Sequence, residues 1–114
     1  MLMAMRKAEI YYKTDLAGHL TETDDGEYLF AYTEDYAKHH PDQFLTFTMP
    51  VHTYTYKDKR LFPFFEGLIP EGWLLEIALK NWKLNPNDRM GLLLACCQNC
   101  IGAVSVIPMN HENE

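Results

Sequence analysis

The sequence predicts an α+β domain: a small antiparallel sheet, built from an N-terminal meander and a strand returning near the C-terminus, with two to three helices. Three observations predict it. Apolar and polar residues alternate with a period of two in the first half, helical spacings of three and four dominate Glu71 to Cys97, and a short β-branched run follows at Ile101 to Ile107. The 114 residues suit one domain, 1–114, with a polar tail over 109–114, and are too few for a complete protein kinase. Apolar residues make up 47% and charged residues 23%, a balance that supports one core rather than disorder.

Ala8 to Lys13 alternates Ala8, Ile10 and Tyr12 with Glu9, Tyr11 and Lys13, the pattern of a half-buried strand. Thr14 to Gly18 is expected to turn, His19 to Thr23 to run extended, and Asp24-Asp25-Gly26 to turn again before Glu27 to Tyr32, giving a three-stranded meander. Glu34 to His40 suits a short helix that stops ahead of Pro41, because proline pushes the residue before it out of the helical region. Gln43 to Thr48, bounded by Pro41 and Pro50, reads as a strand or extended segment. Val51 to Tyr56 alternates again, and Lys57 to Arg60 reads as a charged turn. From Glu71 to Leu84, residues Leu74, Leu75, Ala78, Leu79 and Trp82 form a helical apolar stripe, with Pro70 at the first position, where a missing N–H costs nothing. Asn85 is the expected cap of a further helix, with Pro86 next and Arg89 to Cys97 as its apolar face.

The charge excludes one large class of partner. The net charge is −6, of which residues 1–50 carry −5, and a phosphate backbone is repelled by such a field, so no direct nucleic-acid binding is expected. No apolar run reaches the ~20 residues needed to cross a bilayer, and Met1 to Arg6 lacks the layout of a secretory signal; the reading is a cytoplasmic protein without membrane contact.

Catalytic chemistry finds few carriers. Ser105 is the only serine and sits in a predicted strand, with no sharp turn to expose it as a nucleophile. Neither GxGxxG nor GxxxxGK occurs, so phosphates have no glycine cradle. Cys97 and Cys100 have the spacing of a metal or redox pair, but no second pair accompanies them; His19, His39, His40, His52 and His111 show no matching spacing. Cys96 and Cys97 continue the apolar face of Leu92 to Leu94, so the cysteines read as small hydrophobes, and neither metal nor cofactor is expected. The acidic pairs Asp24–Asp25 and Glu34–Asp35 read as solvated turn and helix-start residues. What remains is an aromatic excess, 13% Phe, Trp and Tyr, with Phe62, Phe64, Phe65 and Trp73 grouped among Pro63, Gly67, Pro70 and Gly72. Large rigid side chains dominate both cores and interface hot spots. Phe64 and Leu68 fit a core role, whereas Trp73, in the first turn and off the stripe of Leu75, Leu79 and Trp82, is a candidate exposed anchor.

Phe62 to Gly72, FPFFEGLIPEG, resembles the FFxxLLPEG signature of the N-terminal subdomain of HipA-type serine/threonine kinase toxins. Tyr11 to Tyr36 resembles that subdomain's opening meander and short helix, and Asp42 to Pro50 its apolar extended run. Leu93 to Pro108 resembles its closing segment, with Gly102, Ala103, Val104, Val106 and Pro108 in place. Cys97 stands where the family usually has glycine, and Asn99 where it usually has aspartate. The resemblance spans about 100 residues, with no kinase core after them, as in the three-gene HipBST systems, where such a piece is a separate small protein. It implies an antitoxin rather than an enzyme, one that binds a HipT-like serine/threonine kinase and inhibits it at the active site. Trp73, Phe64, Phe65, Glu66, Glu71 and Gly72 would lie at or support that contact, and a HipB-like DNA-binding protein would complete a ternary complex. The alternative it implies is a structural subunit that completes the kinase fold and bridges it to the HipB-like repressor without inhibiting it.

Overall fold

A computed structural model describes residues 6–52, 54–69, 80, 87–96 and 103–109. Five strands form one antiparallel sheet: β1 (Arg6–Tyr12), β2 (Asp15–Glu22), β3 (Tyr28–Tyr32), β4 (Tyr56–Asp58) and β5 (Val104–Pro108), in the spatial order β4-β3-β2-β1-β5. Among the described residues they are accompanied by the helices α1 (Glu34–His39), α2 (Pro63–Glu66) and α3 (Arg89–Cys96). The predicted meander and returning strand are therefore present, extended by one short edge strand.

Alternation along the strands decides which face is buried. Ala8 and Ile10 of β1, Leu20 of β2, Phe30 and Tyr32 of β3, and Val104 and Val106 of β5 point to one side, where Leu61, Phe62, Phe65, Ile69, Met90, Leu92 and Leu93 cover them. Glu9, Tyr11, His19, Thr21, Leu29 and Ile107 take the other, half-exposed side.

The first turn departs from expectation. It consists of Lys13 and Thr14 alone, with Lys13 at φ 58° and its N–H donating to the Ala103 carbonyl at 2.6 Å. Strand β2 then begins at Asp15 and absorbs a bulge: Ile10 faces Gly18 while Tyr11 faces Leu16, which leaves Ala17 as the extra residue. Gly18 is thus a strand residue and not a turn residue. A Cβ there would overlap the Ala31 carbonyl oxygen and lie 2.8 Å from the Phe30 ring, so close approach requires the glycine. The second turn forms as its sequence dictates, with Gly26 at φ 89° and Thr23 Oγ1 accepting from the Glu27 N–H at 3.1 Å.

Helix α1 is capped by Thr33, whose hydroxyl accepts from the Tyr36 N–H at 3.0 Å, and it ends one residue ahead of the pre-proline His40. Gln43 to Thr48, expected as a strand or extended segment, joins no ladder and passes into bends and turns from Leu45. Its backbone is satisfied by tyrosines instead of a ladder: the Tyr36 hydroxyl donates to the Gln43 carbonyl at 2.6 Å, and Tyr32 Oη accepts from the Leu45 N–H at 3.1 Å while donating to the Met49 carbonyl. The alternating Val51 to Tyr56 run likewise supplies only its last residue to a strand. The ladder falls on Tyr56 together with Lys57 and Asp58, the first half of the expected charged turn, and these three pair with Phe30, Leu29 and Tyr28.

The cap of α3 is Asp88, whose Oδ1 accepts from the Gly91 N–H at 3.1 Å. The expected cap, Asn85, and Pro86 lie outside the described residues, as does the predicted helix Glu71 to Leu84 apart from Lys80, which is helical and exposed.

Candidate partner-binding site

The six residues expected to contact a partner divide into two groups. Glu71, Gly72 and Trp73 lie outside the described residues. Phe64, Phe65 and Glu66 occupy α2, the single helical turn that leads toward them, opened by Pro63 at its first position and closed by Gly67, whose N–H donates to the Pro63 carbonyl at 3.0 Å.

Phe65 is fully buried: its ring packs against Phe30 at 5.6 Å, Phe62 at 6.3 Å and Phe64 at 5.2 Å between centroids. It anchors the turn to the sheet and has no surface to offer a partner. Phe64, one residue earlier, is half-buried and meets Phe65 edge-on. Glu66 is held by Arg89 of α3, with Nη2 donating to Oε1 at 2.7 Å and Nε to both carboxylate oxygens at 3.0 and 3.2 Å. This bidentate clamp ties α2 to α3 and raises the Arg89 pKa above its ordinary value. Phe65 below and Arg89 beside it fix α2 against the sheet and α3.

Sequence reasoning missed a second feature on the same side of the domain. Phe64, Phe62 and Pro63 form one wall of a groove of about 310 Å³ whose other walls are Met49 and the edge strand residues Tyr56, Lys57 and Asp58. The loop feeding it exposes Phe47 at 87% and Tyr54 at 66%. Tyr56 is fixed by its hydroxyl, which donates to the Pro50 carbonyl at 2.6 Å and lies 2.7 Å from His52 Nε2. Among the described residues Nδ1 of His52 is buried without a partner. The aromatic excess was the only signal in the sequence, because the groove joins residues from three separated segments.

Among the described residues no group of three His, Cys, Asp or Glu side chains converges to hold a metal, and no helix is long and apolar enough to cross a membrane. Cys97 and Cys100 lie outside the described residues. Ser105 sits in β5 opposite Tyr11, half-buried in the ladder.

Residues 8–107 match the HipA N-terminal domain family, and the chain belongs to it. Among solved structures, the N-terminal domain of HipA toxin superposes with a TM-score of 0.67 at 25% sequence identity, covering 92% of this chain and 93% of that one. A Haemophilus influenzae protein, described only as uncharacterized, is 28% identical over 102 residues, 90% of this chain and 92% of its own length.

Proposed function

We propose that this domain is an antitoxin of the HipS type, a non-enzymatic cytoplasmic protein that binds a HipT-like serine/threonine kinase and inhibits it by contact at the active site. The observation that carries the proposal is the extent of the match: the chain covers 93% of the N-terminal domain of HipA toxin. The construction of α2 supports it. Phe65 and the Glu66–Arg89 clamp hold Phe64 and Glu66 in place on α2, and preorganised contact residues lose less entropy on binding. The acidic net charge makes any DNA association of the complex depend on a basic partner, in the role of a HipB-like protein.

The test is autophosphorylation of the partner kinase with and without the purified protein. Inhibition at stoichiometric amounts is expected. Tight binding with undiminished activity would instead identify a structural subunit bridging kinase and repressor.

A further inference from the structure

From the groove beside β4 we infer that the domain has a second docking surface, one that captures an extended acidic segment of a partner protein by adding it as a strand to β4. The inference does not depend on kinase inhibition.

Strand β4 is an edge: β3 pairs with one side of it, and no described strand pairs with the other. Alternate backbone N–H and C=O groups of an edge strand point outward and suit an added strand. Edges are commonly blunted by brevity and by lysines, and Tyr56 to Asp58 has both features. The surroundings differ from a merely blunted edge. All three residues of β4 also line the groove, whose apolar walls are Met49, Tyr56, Phe62, Pro63 and Phe64, a place for side chains of an extended peptide, while main-chain pairing supplies affinity.

Charge selects the occupant. The chain carries a net −6, yet the turn joining β4 to Phe62 places Lys59 and Arg60 together, and among the described residues neither has a carboxylate within ion-pair distance. Lys57 meets Glu27 only at 3.5 Å, and the exposed Asp58, the one carboxylate lining the groove, spends an oxygen on the Arg60 N–H at 3.2 Å. A cationic rim on an acidic protein, beside an apolar groove and an open strand edge, complements a peptide that alternates carboxylates with aliphatic side chains.

The experiment uses the full chain and a fluorescein-labelled peptide of alternating glutamate and isoleucine, followed by fluorescence anisotropy and by amide exchange of Tyr56 to Asp58. Binding is expected with protection of those amides. The same peptide with a central proline, and the Lys59→Glu/Arg60→Glu double variant, should each bind about tenfold more weakly or worse, while melting of the variant stays unchanged. A lysine–isoleucine peptide should not bind. The inference is overturned by an absence of binding, by insensitivity to proline or to the charge reversal, or by protection elsewhere in the chain. Equal binding of a short single-stranded oligonucleotide would reduce the rim to a general polyanion site, and a dimer that occupies the groove would make it a self-interface. Kinase inhibition is read in a separate assay, so either reading can fail alone.

Discussion

Asp88 and Arg6, 82 positions apart, join the first strand to the last described helix: Nη2 donates to Oδ1 at 2.7 Å and Nη1 to Oδ2 at 3.0 Å, while Nε of the same guanidinium donates to Glu22 at 2.6 Å. One carboxylate therefore caps α3 and ties it to the sheet. Asp88→Ala should cost about 1 to 2 kcal/mol, the size of a lost cap, since both partners are about a third exposed and the ion pair itself is screened. Hydrogen bonding to Arg6 holds the Asp88 pKa below its ordinary 3.8. The group binds fewer protons folded than unfolded, so its contribution is present above the ordinary carboxylate pKa and lost as pH falls through the depressed value. Urea unfolding across that acid range should show a shallower fall in the Asp88→Ala protein.

Gly91 supplies a sign reversal that tests this geometry. A Cβ on Gly91 would overlap Asp88 Oδ2 and lie 2.8 Å from Cγ, so Gly91→Ala should destabilise the protein despite alanine's better helix propensity. In the Asp88→Ala background the two overlapping atoms are gone and only Arg6 Nη1, at 3.2 Å on a side chain freed of Asp88, stays near, so Gly91→Ala should stabilise by up to about 1 kcal/mol. Additive costs in the double variant would refute the packing argument.

Tyr32 predicts an alkaline transition. Burial pushes its pKa up to about 12 from an ordinary 10. The folded state keeps the proton that the unfolded chain releases, so this contribution is whole below pH 10 and lost as pH rises through about 12. Tyr32→Phe should remove that dependence. It should also cost about 1 to 3 kcal/mol at neutral pH, because the Leu45 N–H and Met49 carbonyl lose their shared partner. Ultraviolet titration of tyrosinate together with thermal melts checks both.

Phe64 and Phe65 separate platform from surface. Phe65→Ala opens a cavity under fully buried rings and should cost about 3 to 5 kcal/mol; half-buried Phe64 should cost visibly less on the same substitution. Equal losses would mean that the two rings share one role.

Much of the fold was legible because it is written in local period. The meander, the Gly26 turn, α1 and its stop before Pro41, and β5 follow from alternation, capping and proline stereochemistry. Where the reading failed, a distant group had taken over a local one. Gln43 to Thr48 has strand-like residues, but hydroxyls of Tyr32 and Tyr36 satisfy its backbone. Gly18 looked like a turn and instead admits the Phe30 ring against β2, and the α3 cap fell to Asp88 beside Arg6. The Glu66–Arg89 clamp and the β4 groove were illegible for the same reason, since each joins segments that carry no shared local pattern.

Trp73 carries the most exposed prediction, which rests on the proposed antitoxin role. Pro70 suits a first helical position, which would set Trp73 in the opening turn, where side chains can project past the end of the fold. The apolar stripe of that segment is already supplied by Leu74, Leu75, Ala78, Leu79 and Trp82, so folding does not require a second inward tryptophan. Tryptophan is also among the residues most enriched at hot spots, where truncation costs about 2 kcal/mol or more. Trp73→Ala should therefore leave the melting temperature nearly unchanged while weakening kinase binding about thirtyfold and restoring kinase toxicity in cells. Calorimetric melting beside a binding titration distinguishes the outcomes. A variant that unfolds assigns Trp73 to the core, and one that folds and still inhibits fully moves the contact to another face of the domain.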